Sequence, residues 1–481
     1  MLHLLPYPKK LTGGETSVCL PLSVSGNTFP LAVSTLCEYA HRIYGAEVAH
    51  AEGGLIISVD KALPAEGYRL SVTKAGAVLS ASTESGAQNG VMTLLQLMES
   101  APIGGFMSLP VCEIEDAPDC SWRGMMVDLA RDFHKLPVLY DYVDLCRFYK
   151  IRYLHLHFTD DQSYTLPSRA YPALSTPNRH YTEDELKGLI SYAKARGIEI
   201  IPEIDVPGHC TSFAEGYGDI FGTGGIISQS EASMAAMETI FGELCELFAD
   251  SEYIHMGGDE AAIAKWCEDE DTLNAFRAKG VDVDGMDKQA LSEYLYAAFI
   301  ARICHKITAC GKTPVVWEGF HESVNHMIPK NAVVMSWENY YQTTPSLQKA
   351  GFRLINCSWA PMYVVTPVAH WPLNEVYDWS IFKWRPVHPD SPYLHTGLEI
   401  RPTKQVEGGQ LLAWGDHIPA RYDDIDDGVQ AEFDLMAERA PALSENTWNV
   451  EKADDFETFS LRLDHVDHLL AALMENKEGR V

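Results

Sequence analysis

The sequence predicts a closed (β/α)8 barrel, of the TIM-barrel class, preceded by a small α+β domain. Beyond residue 117, eight short apolar, β-capable runs are separated by stretches of helical periodicity or by loop. That is the pattern of a parallel sheet whose crossovers are helices. Each run ends in polar or aromatic residues, as expected where a barrel gathers its site at the carboxyl ends of its strands. The length of 481 residues holds such a barrel, typically about 250 residues, together with a smaller unit. The predicted division is an N-terminal α+β domain over 1–116, the barrel over 117–455 and a C-terminal helix packed on the barrel over 456–481.

In the first domain, Ala32, Leu36, Tyr39 and Ile43 recur at steps of three and four and predict a helix over 31–44. Strand-like alternation follows over 55–59, 68–72 and 78–82, with Ala75-Gly76 as the turn between the last two, and a second helix over 88–98 presents Val91, Leu94, Leu95 and Leu97. No catalytic constellation is visible here, which predicts a supporting role. Residues 110–118 read as a junction.

The eight barrel runs are 124–128, 151–158, 198–204, 253–256, 314–317, 332–335, 352–355 and 410–414. Helical periodicity covers 138–149, 182–196, 231–248, 291–309, 428–439 and 459–474. Thr182 with Glu185 three residues on is a capping box opening one of these, and Gly197 closes it. The segment between the last two runs is long and loop-like, and it carries Trp359, Trp371, Trp379 and Trp384.

Composition narrows the function classes. The formal charge of -30 repels phosphate backbones and anionic membranes, so neither nucleic acid nor a membrane surface is an expected partner. The 11 cysteines, an odd number without a CxxC pair, argue against a disulfide framework and a zinc ribbon and fit a reducing cytosol. The N-terminus places its lysines after a very short apolar patch, the wrong order for a signal peptide, and no apolar run reaches transmembrane length. A cytoplasmic protein is expected; the oligomeric state is not legible.

The chemistry centres on Tyr253-Ile254-His255-Met256-Gly257-Gly258-Asp259-Glu260. Two glycines let the backbone turn sharply, so two adjacent carboxylates are delivered together at a strand's end. Acids after Gly-Gly are also ordinary helix-start chemistry. The other strand ends favour the site: His157 to Asp161 after the second, Glu203 to His209 after the third, Trp317-Glu318 after the fifth, Trp337-Glu338 after the sixth, Tyr363 beyond the seventh and Trp414-Gly415-Asp416 after the eighth. Tryptophans each within two residues of an acid suit a sugar pocket, in which aromatic faces pack on a pyranose and carboxylates bind its hydroxyls.

The segments Trp122-Arg123-Gly124-Met125-Met126-Val127-Asp128, His155-Leu156-His157-Phe158-Thr159-Asp160-Asp161-Gln162, Ile201-Pro202-Glu203-Ile204-Asp205-Val206-Pro207-Gly208-His209 and His255 to Glu260 resemble glycoside hydrolase family 20, the β-N-acetylhexosaminidases. The resemblance extends to the first domain through residues 67–97 and is weaker around Trp414-Gly415-Asp416 and Ala437-Glu438-Arg439. It implies an exo-acting, retaining enzyme for N-acetylglucosamine or N-acetylgalactosamine, with the sugar's own 2-acetamido oxygen as nucleophile and no metal or organic cofactor. Glu260 is then the general acid and base, with a pKa expected to be raised by burial and by the neighbouring carboxylate. Asp259 orients the acetamido N–H and Tyr363 holds its oxygen. Trp317, Trp337 and Trp414 wall the sugar, and Arg123 and Asp416 hold outer hydroxyls. Asp160, Asp161, His209 and His255 stand behind Glu260.

Three departures from the family pattern bear on specificity. Val365 stands where an aspartate is usual two residues after the tyrosine, Asp416 replaces a glutamate, and Ser163-Tyr164 replaces Gly-Trp. Two alternatives use the same residues. A zinc-dependent amidohydrolase could draw ligands from His155, His157, His209, His255 and Asp259, although the tryptophan collar would then have no task. A non-catalytic sugar-binding protein would have no need of both Asp259 and Glu260.

Overall fold

The computed structural model describes residues 2–26 and 28–478. Its first domain is a seven-stranded sheet in the order Lys10–Pro21, Phe106–Asp116, Tyr68–Thr73, Gly76–Ala81, Leu55–Val59, Ser23–Ser25, Ala49–His50. Helices Pro30–Tyr44 and Glu84–Leu97 belong to the same domain and pack on each other. The burial alternation of Tyr68–Thr73 fits a sheet covered on one face and solvated on the other. Two readings are corrected here. Residues 110–116 are no junction but the second half of the long strand Phe106–Asp116, paired on both sides. The hairpin turn is Lys74-Ala75, with Gly76 already opposite Thr73.

Eight parallel strands then close a barrel: β1 (Trp122–Asp128), β2 (Tyr153–His157), β3 (Glu199–Glu203), β4 (Tyr253–His255), β5 (Thr313–Trp317), β6 (Val333–Ser336), β7 (Arg353–Asn356) and β8 (Val406–Trp414). Closure is made by β8, which pairs with β1 from Gly408 opposite Trp122 to Ala413 opposite Val127. On its other edge β8 pairs with β7 low down, Asn356 opposite Gly409. Higher up it pairs with a separate short strand, Tyr363–Val365.

Strand residues two apart face the same side, so the barrel interior fills in storeys. Trp122, Tyr153 and Tyr253 form the lowest, with Trp122 and Tyr153 stacked at 4.5 Å. His155, His255 and Gln410 come next, Gln410 Nε2 lying 3.0 Å from His155 Nδ1. Gly124 makes room for that amide, since a Cβ there would stand 2.5 Å from Gln410 Oε1. Above lie His157, Glu203 and Trp317, all buried.

The two domains are joined through buried polar contacts beneath the barrel. Arg123 Nη2 meets Glu66 Oε1 at 2.6 Å, while its other nitrogens donate to the carbonyls of Cys120 and Lys150. Lys150 Nζ donates to Thr93 Oγ1 and Tyr68 OH, and burial brings its pKa down to about 8. Helix Phe456–Glu475 packs on Pro30–Tyr44 of the first domain as well as on barrel helix Leu136–Phe148, so it bridges the two domains. Among the described residues no helix is long and apolar enough to cross a membrane.

Candidate active site

The turn after β4 presents the paired acids, and its shape is dictated from below. Gly257 has φ +73°, and a Cβ on it would lie 1.8 Å from Asp205 Oδ1, so only glycine fits. Gly258 follows at φ +113°; its N–H donates to Asp205 Oδ1 at 3.1 Å, and its carbonyl accepts from Tyr296 OH. Held this way, Asp259 turns inward with 8% of its surface exposed, while Glu260, at φ +47°, keeps 55% of its side chain open. The helix-start reading does not hold, because the next helical turn begins only at Ile263.

Both acids line a pocket of about 250 Å³ at the upper end of the barrel, with Trp337, Trp359, Tyr363, Val365, Trp414 and Asp416 around it. Tyr363 lies nearly parallel to Trp359 at 5.1 Å and to Trp337 at 6.2 Å, with Trp414 at 6.1 Å, which makes an aromatic box. Burial holds the Tyr363 phenol well above its ordinary pKa, so it remains a donor. Asp259 Oδ1 is buried beside this box with no hydrogen-bond partner among the described residues.

A second line of groups backs Glu260. His209 Nε2 is 3.5 Å from Glu260 Oε2, and its Nδ1 is 3.2 Å from Asp160 Oδ1. Burial opposes a charge on His209, but Asp205, Asp160 and Glu260 outweigh it and hold the imidazole pKa well above the usual value. Burial opposes the charge on Asp160 too; His157, His209 and Arg131 keep that carboxyl well below its ordinary range.

The two acids titrate apart. Burial pushes Asp259 up to about 6, with Glu260 and Glu203 adding and His209 opposing. Glu260 is instead held below its ordinary value, by the His209 imidazole 3.5 Å away. This corrects the expectation of a raised Glu260: the side chain is half open, and the imidazole of His209 lies 3.5 Å from its carboxylate.

Several other predicted residues lie elsewhere. Arg123, at the entry of β1, is buried under the barrel and cannot reach the pocket. The pocket's arginine is Arg131, three residues past the end of β1, which contacts Asp128, Asp160 and Asp416 at 2.9–3.2 Å and lies 5.1 Å over the Trp414 ring. Asp161 turns away and accepts from the N–H and hydroxyl of Thr211. Trp317 sits one storey below the lining and His255 two, both on Glu203: Trp317 donates to its Oε1 at 2.6 Å, and His255 Nδ1 lies 3.0 Å from the same oxygen. Trp359, Asp205 and His417 line the pocket without having been picked out as pocket residues. The sequence signal available for Arg131 was its place after a strand's exit, where a barrel's site forms.

Two strand acids prove to be braces. Glu318, fully buried, accepts from Tyr340 N at 2.7 Å, Asn339 N at 2.9 Å, Ser336 Oγ at 3.1 Å and Trp337 N at 3.2 Å, and burial lifts its pKa to about 8. Glu338, 2% exposed, accepts from the N–H groups of Val387 and His388.

Among the described residues four groups of side chains are close enough to share a cation, including His155-Glu203-His255 and His157-Glu203-Asp205 beneath the pocket and His209-Asp259-Glu260 within it. The histidines of β2 and β4 all converge on Glu203 inside the barrel, away from the pocket surface, so the ligand set imagined for an amidohydrolase is divided between two levels.

Comparison with known proteins agrees with this geometry. Residues 120–451 match the family model "Glycosyl hydrolase family 20, catalytic domain", and residues 2–117 match "Glycosyl hydrolase family 20, domain 2". A β-hexosaminidase from Akkermansia muciniphila is 28% identical over 87% of each chain. The β-hexosaminidase subunit beta of Entamoeba histolytica is 26% identical over 96% of this chain and 83% of its own. In fold, the chain superposes on a Vibrio harveyi exo-β-N-acetylglucosaminidase with a TM-score of 0.80 at 22% identity, covering 98% of this chain and 77% of that one. A Bacteroides fragilis β-N-acetylhexosaminidase superposes at 0.78 and 20% identity, covering 99% and 98%. With the paired acids, the aromatic box and both domains accounted for, the chain belongs to glycoside hydrolase family 20, the β-N-acetylhexosaminidases.

Proposed function

We propose that the enzyme removes single terminal N-acetylhexosamine units with retention of configuration, using the substrate's acetamido oxygen as nucleophile. The observation that carries this reading is Asp259: a buried carboxylate oxygen without a donor, beside a box of Trp337, Tyr363 and Trp414. An acetamido group supplies what that place lacks, an N–H for Asp259 and a methyl for the aromatic walls. A pocket of about 250 Å³ takes one ring and not a chain, since clefts for drug-sized ligands run to roughly 300–1,000 Å³.

In the first step the acetamido oxygen bonds to the anomeric carbon as the glycosidic bond breaks, and Glu260 passes its proton to the departing oxygen. The Tyr363 hydroxyl holds the attacking oxygen, and ionised Asp259 stabilises the positive charge of the oxazolinium. In the second step water attacks the same carbon, Glu260 takes its proton and the acetamido group is restored. A sugar in the pocket strips water from Glu260, which raises its pKa, and protonated His209 at 3.5 Å is the adjoining proton store. Arg131 and Asp416 are placed to bind ring hydroxyls.

The test is a panel of aryl β-glycosides with and without the 2-acetamido group, with the first-formed anomer followed by NMR. Hydrolysis restricted to acetamido sugars with a β-product is expected. Comparable rates on a 2-hydroxy glycoside would sink the mechanism.

A further inference from the structure

Of the four tryptophans on the chain between β7 and β8, only Trp359 lines the sugar pocket. Trp371, Trp379 and Trp384 line a separate cavity of about 760 Å³, against about 250 Å³ for the pocket. Ala360 and Pro361 belong to its wall and stand between Trp359 and Tyr363 of the pocket, so one short stretch of chain serves both. The cavity is held in shape by the backbone around it. Lys383-Trp384 pairs antiparallel with Leu398-Glu399. The Arg385 N–H donates to Ser358 Oγ at 2.7 Å, the Arg385 carbonyl accepts from Ala360 N at 3.1 Å, and Trp384 Nε1 donates to the Ser336 carbonyl at 3.1 Å.

Its charges and donors select a kind of ligand. Every charged side chain on the lining, His395 apart, already has an opposite partner. Arg385 Nη2 meets Glu375 Oε2 at 2.7 Å, Lys383 Nζ meets Glu399 Oε2 at 3.6 Å, and Asp378 Oδ1 meets Lys452 Nζ at 3.6 Å. The cavity therefore calls for neither an anion nor a cation, and it offers no unpaired acid to protonate a departing group. The Nε1 groups of Trp371 and Trp379, by contrast, are buried without an acceptor among the described residues. An indole N–H can only donate, and a buried donor left unmet costs free energy. The Arg385 guanidinium lies 4.8 Å over the Trp371 ring and fixes it in place. Neutral acceptor oxygens carried on a ring with an apolar face are what this place lacks, and a pyranose supplies both.

We propose that the cavity lined by Trp371, Trp379 and Trp384 is a second, non-catalytic saccharide site, which takes neutral sugar rings of the glycans that the enzyme trims. The choice of ligand rests on the proposed activity; the existence of the site does not. Its volume falls within the roughly 300–1,000 Å³ of ordinary ligand clefts, so more than one ring fits where the sugar pocket takes one. The indole N–H groups donate to ring or hydroxyl oxygens, and the paired charges around them stay paired.

The experiment is calorimetric titration of the full chain carrying Glu260→Gln, so that the ligand is not consumed, with the trisaccharide of β-linked N-acetylglucosamine. Two sites per chain are expected. Adding Trp371→Ala should leave one. Trp371→Phe, which keeps a ring and removes only the N–H, should keep both and weaken one by roughly two- to tenfold, the worth of one hydrogen bond. With Glu260 intact, both Trp371 variants should leave kcat/KM on an aryl N-acetylglucosaminide unchanged. A single site in the Glu260→Gln chain, or a second site that both Trp371 variants leave untouched, overturns the inference while leaving the activity standing. A wild-type chain that hydrolyses no N-acetylhexosaminide overturns the proposed activity instead, and the number of sites still decides this one.

Discussion

Arg123 enters β1 and Arg131 follows it, yet the two guanidiniums serve opposite mouths of the barrel. At the lower mouth Arg123 is 1% exposed and bonded on every side, to Glu66 of the first domain and to two backbone carbonyls. At the upper mouth Arg131 is also paired, with Asp128, Asp160 and Asp416, but one flank looks into the sugar pocket. A closed set of partners makes a joint between domains; a set left open on one side makes a tool. The difference follows from strand direction, which places loops from entry ends against the first domain and loops from exit ends around the substrate.

The comparison is most sharply tested at Glu260. Glu260→Gln should lower kcat by about 10²–10⁴-fold on substrates with poor leaving groups, with the melting temperature little changed because the side chain is half open. A large loss of stability with modest loss of rate would place Glu260 among the joints. The two arginines should then trade effects. Arg131→Ala is expected to cost about 10–100-fold in kcat/KM, the worth of a charged hydrogen bond. Arg123→Ala should instead destabilise by about 3–5 kcal/mol, as when one partner of a buried ion pair is removed, with KM unaltered. Denaturant titration beside steady-state kinetics on both variants decides it.

Asp259 belongs to the upper mouth and carries a stability cost. Its folded pKa of about 6 lies above an unfolded value near 3.9, so the folded protein binds the extra proton between those values. The penalty is therefore full above about pH 6 and vanishes below about pH 4. Asp259→Asn should stabilise the protein by about 2 kcal/mol at pH 7, with the gain closing as the pH falls. The same ionisation predicts that wild-type kcat/KM declines below about pH 6, where Asp259 is protonated and no longer supports the cationic intermediate. A stability difference that stays constant from pH 4 to 8 would count against it.

The smallest effect belongs to Val365, an apolar residue on the pocket wall where the family pattern has an acid. Val365→Asp offers a new acceptor to the sugar's outer hydroxyls and should change the gluco-to-galacto ratio severalfold, about 0.5–1.5 kcal/mol. An unmoved ratio would show that this wall does not read those hydroxyls.

The barrel was legible because strands buried on both faces are continuous apolar runs, and all eight appear within a few residues of their expected places. The strand Lys10–Pro21 was not, since it is an edge strand, mostly exposed, interrupted by Gly13-Gly14 and without apolar alternation. Glu260, Asp259, Trp337, Trp414, Tyr363 and Asp416 converge on one pocket because they lie at or just beyond strand exits. Trp317 did not, for a reason of depth: as the last residue of β5 it points into the storey with Glu203, one level below the lining. Glu318 and Glu338 were read as ligands for hydroxyls, whereas their oxygens are occupied by backbone N–H groups, which only the folded loop reveals.

Tyr363–Val365 rides on the upper half of β8 while β7 holds the lower half, so the barrel has one stave sawn in two. The polypeptide leaves the lower piece at Asn356 and supplies Trp359 and Tyr363 in the gap before its long detour to Val406. Hoop closure depends on the lower piece alone. Lengthening or trimming the detour therefore offers a route by which descendants of this enzyme can acquire new tastes without loosening the cask.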